Sequence, residues 1–199
     1  VYVPERIVTN TELSENLGQD IDDFVTNVVG IKERRIAAED ESTADLATAA
    51  AENALRDSGI AAADLDLILL ATDTPEYISP ATSVVVQQRL GAINAGTFDV
   101  NCACAGFVTT LDTAFKYVIA DSSYKNVLVI GCYAMSKFMD WTDKKTSTIF
   151  ADGAGAVVLQ AVEGEQHFLA SKLVADGNYH NYMGIFAGGT RQPITAEVL

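Results

Sequence analysis

The sequence predicts an α/β fold in which helices cover a mixed, mainly parallel sheet. Short segments that are apolar on both faces, such as those from Leu67 to Ala71 and from Asn126 to Gly131, alternate with segments whose apolar residues recur at helical spacing. Glycines such as Gly18, Gly59 and Gly91 follow the helical segments, where a left-handed residue commonly ends a helix. With 199 residues, 49% of them apolar, the chain can bury a sizeable core.

The first part of the chain is predicted to be mainly helical. A helix starts at Asn10 or Thr11 and stops at Gly18, and a second runs from about Asp20 to Val28 before Gly30. Alternating apolar and charged residues from Ile31 to Ile36 predict a half-exposed strand. A longer, alanine-rich helix is then capped by Ser42 or Thr43 and ends at Gly59.

The rest of the chain repeats a strand-helix order, which is typical of a parallel sheet. The predicted elements are a strand at Leu67 to Ala71, a helix from about Thr82 to Leu90, a strand at Thr97 to Val100, a helix from about Ala105 to Ala120, a strand at Asn126 to Gly131, and a closing pair of strands at Gly155 to Val162 and Phe168 to Val174. No repeat, low-complexity tract or linker divides the chain, so we expect one folding unit over residues 1–199.

Composition excludes several classes of function. The formal net charge is −14 and no cluster of basic residues interrupts it, which argues against a nucleic-acid partner. The apolar runs are far shorter than the roughly 20 residues of a membrane-spanning helix, so we expect no membrane-spanning helix, and residues 1–199 offer no support for secretion. Three cysteines, an odd number, favour a reducing cytoplasm. The chain opens at Val1 and closes at Leu199 without terminal features, so we expect it to be part of a longer polypeptide.

Cys104 is the residue most suited to chemistry. The segment from Phe98 to Phe107 places it just after a predicted strand and at the first turn of a predicted apolar helix. The free N–H groups and positive dipole end of a helix stabilise a thiolate. The small neighbours Ala103, Ala105 and Gly106 leave room for an incoming thioester and for N–H groups facing an oxyanion. The position therefore predicts a nucleophile.

Other readings of the cysteines remain open. Free cysteines are commonly small core residues, and we expect this role for Cys102 and Cys132, which lie in or at the ends of predicted strands. A Cys-x-Cys redox pair or a metal site lacks companion ligands, because His167 and His180 are distant and isolated in the sequence. We expect both histidines at the surface.

The run Asp99-Val100-x-x-x-Cys104-Ala105-Gly106-Phe107 resembles the nucleophile motif of the β-ketoacyl-acyl-carrier-protein synthase III family, within the thiolase superfamily. Further segments match the family in order: Val3-Pro4-x-x-x-Val8-Thr9-Asn10, Gly30-Ile31-x-x-Arg34, Ser79-Pro80-Ala81 and Phe150-Ala151-Asp152-Gly153-Ala154-Gly155-Ala156. Together they cover nearly the whole chain. The resemblance implies the amino-terminal half of a thiolase-like fold.

The resemblance also implies an activity. In the family, a thioester acylates the cysteine, and the acyl group condenses with the carbanion formed when a malonyl-acyl-carrier-protein loses carbon dioxide. This condensation starts fatty-acid biosynthesis, in a homodimer without a metal or redox cofactor. The supporting histidine and asparagine lie in the family's carboxyl-terminal half, beyond Leu199. We therefore expect residues 1–199 alone to be inactive.

Substrate contacts are implied by the same resemblance. Phe24 aligns with an aromatic residue that packs on the adenine of coenzyme A, and Lys144 with a basic residue on its other side; a helix residue packed on the core and a solvated charge are equally compatible readings. Val28 stands where the family often has an arginine for the phosphates, so either coenzyme A or acyl-carrier protein can be the donor.

The acyl pocket follows by the same alignment. Met135 and Phe150 match apolar positions in its wall, and Ser79 falls where a partner subunit inserts a bulky side chain. The small serine predicts a pocket for acyl chains longer than acetyl, or branched.

The run from Ala151 to Gly155 lacks the residues of a P-loop and predicts tight backbone packing, whereas Gly188 to Pro193 matches a family loop or a surface turn.

Two alternative functions stay open. Another thiolase-superfamily enzyme, such as a hydroxymethylglutaryl-type synthase, an acyl-ester-forming transferase or a specialised-metabolite ketosynthase, would also retain an acylated cysteine. A catalytically silent subunit would use the fold for dimerisation alone. Failure of Cys104 to react with thioesters would favour the silent subunit.

Overall fold

The computed structural model describes residues 1–164 and 168–195, which belong to two compact units. The first, Val1–Leu169, carries the strands and longer helices described below. The second, Ala170–Leu199, is irregular in its described part apart from a short 3₁₀ turn at Gly177–Tyr179. One folding unit over residues 1–199 stays a prediction.

A small two-stranded sheet and two helical segments open the chain. Strand β1 (Arg6–Thr9) pairs antiparallel with β2 (Glu33–Ile36). Helix α1 (Asn10–Leu17) is capped by the Thr9 side chain and ends at Gly18. Helix α2 (Asp22–Phe24) continues as a π-helical segment, Val25–Val29. Leu13, Ile21 and Val25 form a small core between them, with Trp141 packed against it.

The central sheet has four strands in the order β4-β3-β5-β6. Strand β3 (Leu67–Ala71) pairs parallel with both β4 (Gly96–Val100) and β5 (Asn126–Ala134), and β5 pairs antiparallel with β6 (Asp152–Gln160). The mixed, mainly parallel sheet predicted from the sequence is thus confirmed.

Helices cover both faces of this sheet. The longer ones are α3 (Thr43–Ser58), α4 (Thr82–Leu90) and α5 (Gly106–Ala120), and α6 (Lys144–Ser147) is a single turn. Successive strand side chains point to opposite faces. Ile68 and Leu70 therefore join the core cluster of α3 and α4, and Leu67 and Leu69 join the cluster under α5.

Most predicted helices are confirmed, and the strand predictions fail in identifiable places. Strand β1 was not predicted, and β5 continues three residues beyond Gly131, to Ala134. The prediction of a strand at Phe168–Val174 is wrong, because the segment is irregular. Its residue types suit a strand, but a strand also needs a neighbour to pair with, and among the described residues no strand pairs with this segment.

None of the helices in the described part of the chain is long and apolar enough to cross a lipid bilayer.

Asp152, at the start of β6, joins three parts of the first unit. Its carboxylate is 5% exposed and accepts the Ala37 N–H at 2.7 Å and the Ser136 N–H at 2.9 Å. We expect Asp152→Ala to lower the free energy of unfolding by about 2–4 kcal/mol, because two N–H groups lose a charged acceptor. Urea denaturation of the full-length protein measures this change.

The matched control is Glu52→Ala, because Glu52 is an exposed acidic residue on α3. It should change the free energy of unfolding by no more than about 0.5 kcal/mol. Equal effects of the two substitutions would contradict a structural role for Asp152.

Candidate active site

Cys104 lies in a sharp connection between β4 and α5. Asn101 accepts the Ala103 N–H at 3.2 Å through its side-chain oxygen, and Ala103 has a positive φ of 45°. A 3₁₀ turn, Ala103–Ala105, follows and runs directly into α5. A positive φ is unfavourable for a residue with a Cβ atom and often marks a functional turn. The turn places an exposed Cys104 at the start of α5, as the sequence predicts.

The start of α5 packs very closely on the sheet. A Cβ atom added to Gly106 would lie 3.2 Å from the Ala71 Cβ, and one added to Gly131 would lie 3.0 Å from a ring carbon of Phe107. Both distances are too short for a comfortable contact, so larger residues would push the helix away. The two glycines therefore hold the turn that carries Cys104 against the ends of β3 and β5.

Cys104 lines a cleft with a volume of about 650 Å³. The cleft is lined by the carboxyl ends of two parallel strands, the start of α5 and the segment that enters β6. The lining includes Ala71, Thr72, Asp73, Ala103, Phe107, Gly131, Tyr133, Ile149, Phe150 and Gly155, with Val1, Tyr2 and Val3. Most of these side chains are small or apolar, which suits an acyl chain.

Three titratable side chains besides the cysteines are among the described residues that line this cleft, Tyr2, Asp73 and Tyr133. Burial raises the pKa of the Asp73 carboxyl, whose Oδ1 atom has no hydrogen-bond partner in the described part of the chain. Burial also raises the pKa of the Tyr133 phenol, and the negative charges of Asp73 and of an ionised Cys104 add to the shift. The Tyr133 hydroxyl therefore stays protonated at neutral pH. It can donate a hydrogen bond in the cleft.

The other two cysteines differ from one another. Cys132 lies in β5, where its thiol donates to the Thr43 carbonyl at 3.2 Å and burial raises its pKa to about 12. Such a thiol is not ionised near neutrality and acts as a small core residue, as expected. The same expectation is wrong for Cys102, which is exposed, because the chain leaves the sheet after Val100.

The residues expected at the adenine of coenzyme A lie on α2 and α6. Phe24 ends α2 and is 59% exposed. Lys144 begins α6, and its Nζ lies 3.3 Å from the Gln19 Oε1, just before α2. Lys144 is thus held next to the segment that leads into α2. Val28 is exposed on the π-helical segment Val25–Val29, which contains no basic residue.

The three predicted acyl-pocket residues are placed differently. Phe150 lines the cleft with Cys104, and its ring centroid is 6.1 Å from that of Tyr133. Met135 is buried in the 3₁₀ turn after β5 and is not among the described residues that line the cleft. Ser79 is exposed in the loop before α4, next to the exposed side chains of Tyr77 and Ile78.

The remaining sequence features have simple structural outcomes. His180 is exposed, as expected, and lies 3.0 Å from the Gly177 carbonyl, whereas His167 lies outside the described residues. Gly153 and Gly155 lie within β6; a Cβ atom added to Gly153 would lie 3.4 Å from the Tyr2 carbonyl oxygen, whereas one added to Gly155 would meet no described atom within 4 Å, so the predicted tight packing applies to Gly153 alone. Gly188 and Gln192 close a turn by a 2.9 Å hydrogen bond. Within residues 1–164 and 168–195, no cluster of His, Cys, Asp or Glu could hold a metal ion.

Sequence reasoning missed Asp73, Tyr133, Phe107 and Ile149 as lining residues of the cleft. A signal was available for the first two. Asp73 follows β3 and Tyr133 lies near the end of β5, and the carboxyl ends of neighbouring parallel strands meet at one edge of a sheet. Phe107 and Ile149 carry no comparable signal, because their contact with the cleft depends on the packing of α5 and of the segment after α6.

Comparison with known proteins agrees with this geometry. The family model described as 3-Oxoacyl-[acyl-carrier-protein (ACP)] synthase III matches residues 98–177. The chain is 43% identical, over 198 residues, to the beta-ketoacyl-[acyl-carrier-protein] synthase III of Caldanaerobacter subterraneus subsp. tengcongensis, covering 100% of this chain and 59% of that protein. It is 46% identical, over 176 residues, to the enzyme of the same name from Geobacillus kaustophilus, covering 88% of this chain and 56% of that protein.

A solved structure gives the same result. The 3-oxoacyl-[acyl-carrier-protein] synthase III of Aquifex aeolicus VF5 superposes with a TM-score of 0.84 at 41% identity, covering 89% of this chain and 56% of that one. The chain thus spans less than two thirds of the length of each of these relatives. The matched motifs, the fold around Cys104 and these similarities agree in relating the chain to beta-ketoacyl-[acyl-carrier-protein] synthases III, and the chain has the thiolase-like fold.

Proposed function

We propose that the protein is an acyltransferase that forms a β-ketoacyl thioester by decarboxylative condensation at the start of fatty-acid biosynthesis. The observation that carries this proposal is the exposed Cys104, held at the start of α5 in a largely apolar cleft. Relatives that carry the name of this activity support it.

The first half-reaction transfers an acyl group to Cys104. The Cys104 thiolate attacks the thioester carbonyl, the carbon–sulfur bond of the donor breaks, and the carrier thiolate leaves and takes up a proton. The positive end of α5 stabilises negative charge at this position. The apolar walls around Phe107 and Phe150 hold the acyl chain and keep water from the ester.

The second half-reaction forms the carbon–carbon bond. A malonyl-acyl-carrier-protein loses carbon dioxide, and its carbanion attacks the acyl-Cys104 carbonyl, which releases the Cys104 thiolate. These steps exchange no electrons with a cofactor, so a metal or redox group is not needed. The resemblance places the supporting histidine and asparagine after Leu199, and the proposal therefore concerns the full-length protein.

Donor and assembly follow from the same family relationship. As the resemblance implies, Phe24 and Lys144, both exposed, would sandwich the adenine of an acyl-coenzyme A, whereas Val28 offers no positive charge to its phosphates. An acyl-carrier-protein donor is the alternative for the first half-reaction. The protein acts in the cytoplasm as a homodimer, in which the partner subunit contributes to the acyl pocket near Ser79.

Substitution of Cys104 tests the proposal. Incubating the full-length protein with short-chain acyl-coenzyme A and acyl-carrier-protein thioesters should add one acyl group, seen by intact-mass spectrometry and located on Cys104 by peptide mapping. Cys104→Ala should abolish the mass increase, because the attacking sulfur is gone.

Cys102→Ala is the matched control, since Cys102 is exposed two residues away and should be dispensable. Acylation that persists in Cys104→Ala would refute the assignment of the nucleophile. A protein that neither donor acylates would instead favour a silent subunit that retains the fold.

The predicted wide acyl pocket is tested at Ser79. We expect the full-length protein to accept branched or longer chains, and Ser79→Phe to reduce kcat/KM for them by about tenfold or more while acetyl transfer changes little, because the ring fills space that only larger chains need. Competition assays with acetyl and branched five-carbon donors measure this ratio. Use of acetyl alone by the unsubstituted protein would contradict the prediction.

A further inference from the structure

Arg34 is a buried cation whose hydrogen-bond partners are all uncharged. The residue lies in β2, and 3% of its surface is exposed. Its Nη2 donates to the Asn10 Oδ1 at 2.7 Å and, at 3.4 Å, to the Thr148 carbonyl, and its Nη1 makes longer contacts with the Val8 and Thr9 carbonyls. No carboxylate of the described residues forms a salt bridge with it, and its Nε is unpaired there. Burying a guanidinium without a carboxylate is costly, which calls for an explanation.

Asn10 connects Arg34 to α2 through hydrogen bonds. Its side-chain Nδ2 lies within hydrogen-bond distance of the Ile31 carbonyl at 2.8 Å, the Thr26 Oγ1 at 2.9 Å and the Asp22 Oδ1 at 3.1 Å. Thr26 in turn donates to Asp22 at 2.8 Å. Arg34 is thereby connected, through the side-chain amide of Asn10, to Asp22 and Thr26 of the helical segment that carries Phe24, and to Ile31, which follows that segment.

The Thr148 carbonyl connects Arg34 to the opposite side of the site. Thr148 directly follows α6, which begins at Lys144. Its side-chain hydroxyl donates to the Lys144 carbonyl at 2.9 Å, so Thr148 is bonded to the same helical turn. The next two residues, Ile149 and Phe150, line the cleft beside Cys104. Arg34 thus contacts the segment that joins Lys144 to the acyl-cleft wall directly, and it reaches the segment that carries Phe24 through Asn10.

We propose that Arg34 is a positioning residue that fixes the spacing between α2 and α6, so that the nucleotide end and the thioester end of an acyl-coenzyme A bind together. This role rests on the proposed function and adds to it a coupling between two substrate subsites. Arg34 itself is buried and touches no substrate. It acts through Asn10 and the Thr148 carbonyl, because a planar, multiply bonded guanidinium holds three segments in one geometry.

The proposed coupling can be tested with two acyl donors that carry the same reacting thioester and differ in whether they carry the nucleotide. Acyl-coenzyme A needs both subsites, whereas the acyl thioester of pantetheine, which lacks the nucleotide, needs only the cleft. In the full-length protein, Arg34→Lys should raise the half-saturating concentration of acyl-coenzyme A for Cys104 acylation by roughly tenfold relative to that of acyl-pantetheine, the size of effect expected for a lost hydrogen bond to a charged group. Arg34→Gln should raise the same ratio further.

Arg35→Lys is the matched control. Arg35 is the next residue of β2, points away from this network and donates to the Pro4 and Glu5 carbonyls at 3.2 Å, so the ratio should stay within about twofold of the parent. Thermal unfolding of each variant is measured alongside, since a loss of folded protein lowers the rate with both donors equally.

The possible outcomes distinguish the positioning role of Arg34 from the proposed function of the protein. A rise in the coenzyme A to pantetheine ratio that is confined to the Arg34 variants supports the positioning role. Equal changes with both donors, or a parent protein that does not distinguish the donors, would overturn that role and leave acylation of Cys104 intact. A parent protein that neither thioester acylates would refute the proposed function, and the positioning role with it.

Discussion

The geometry of the site depends on how closely the start of α5 approaches the sheet. Gly106 lies against Ala71 of β3, and Gly131 of β5 lies against the ring of Phe107, so closely that an added Cβ atom would lie only 3.2 Å and 3.0 Å from these neighbours and would force them to shift. The helix can therefore begin directly above the carboxyl ends of two parallel strands. Cys104 is exposed in the cleft because its turn precedes this contact, and the same contact places Phe107 in the cleft wall.

Burial distinguishes Cys132, which lies in the sheet, from Cys104, which lies in the turn between β4 and α5. Cys132 lies in a strand, is bonded to a carbonyl and has a raised pKa, so its sulfur remains a packed thiol. Cys104 lies outside the sheet at a helix start, where the environment accepts negative charge. The proposed nucleophilic role of Cys104 therefore rests on its exposed position before α5, a position that the buried Cys132 does not share.

Local signals predicted much of this molecule. Capping residues and glycines located α1, α3 and α4 almost to the residue, because helix ends are determined by short-range hydrogen bonds. Strands were harder, as β1 and the irregular segment at Phe168 show, because a strand is stabilised by a partner distant in sequence. The position of Cys104 was predictable for the same local reason as the helices. The Arg34 network was not, because it joins residues more than a hundred positions apart.

The left-handed conformation of Ala103 has a consequence for engineering the cleft beside Cys104. The residue turns the chain between Asn101 and Cys104 with a φ that only glycine, asparagine and a few small residues tolerate at modest cost. Libraries that diversify the cleft should therefore vary the side chains of α5 and the segment before β6, and leave this hinge unchanged. A valine or isoleucine there would redirect the sulfur before it altered the size of the pocket.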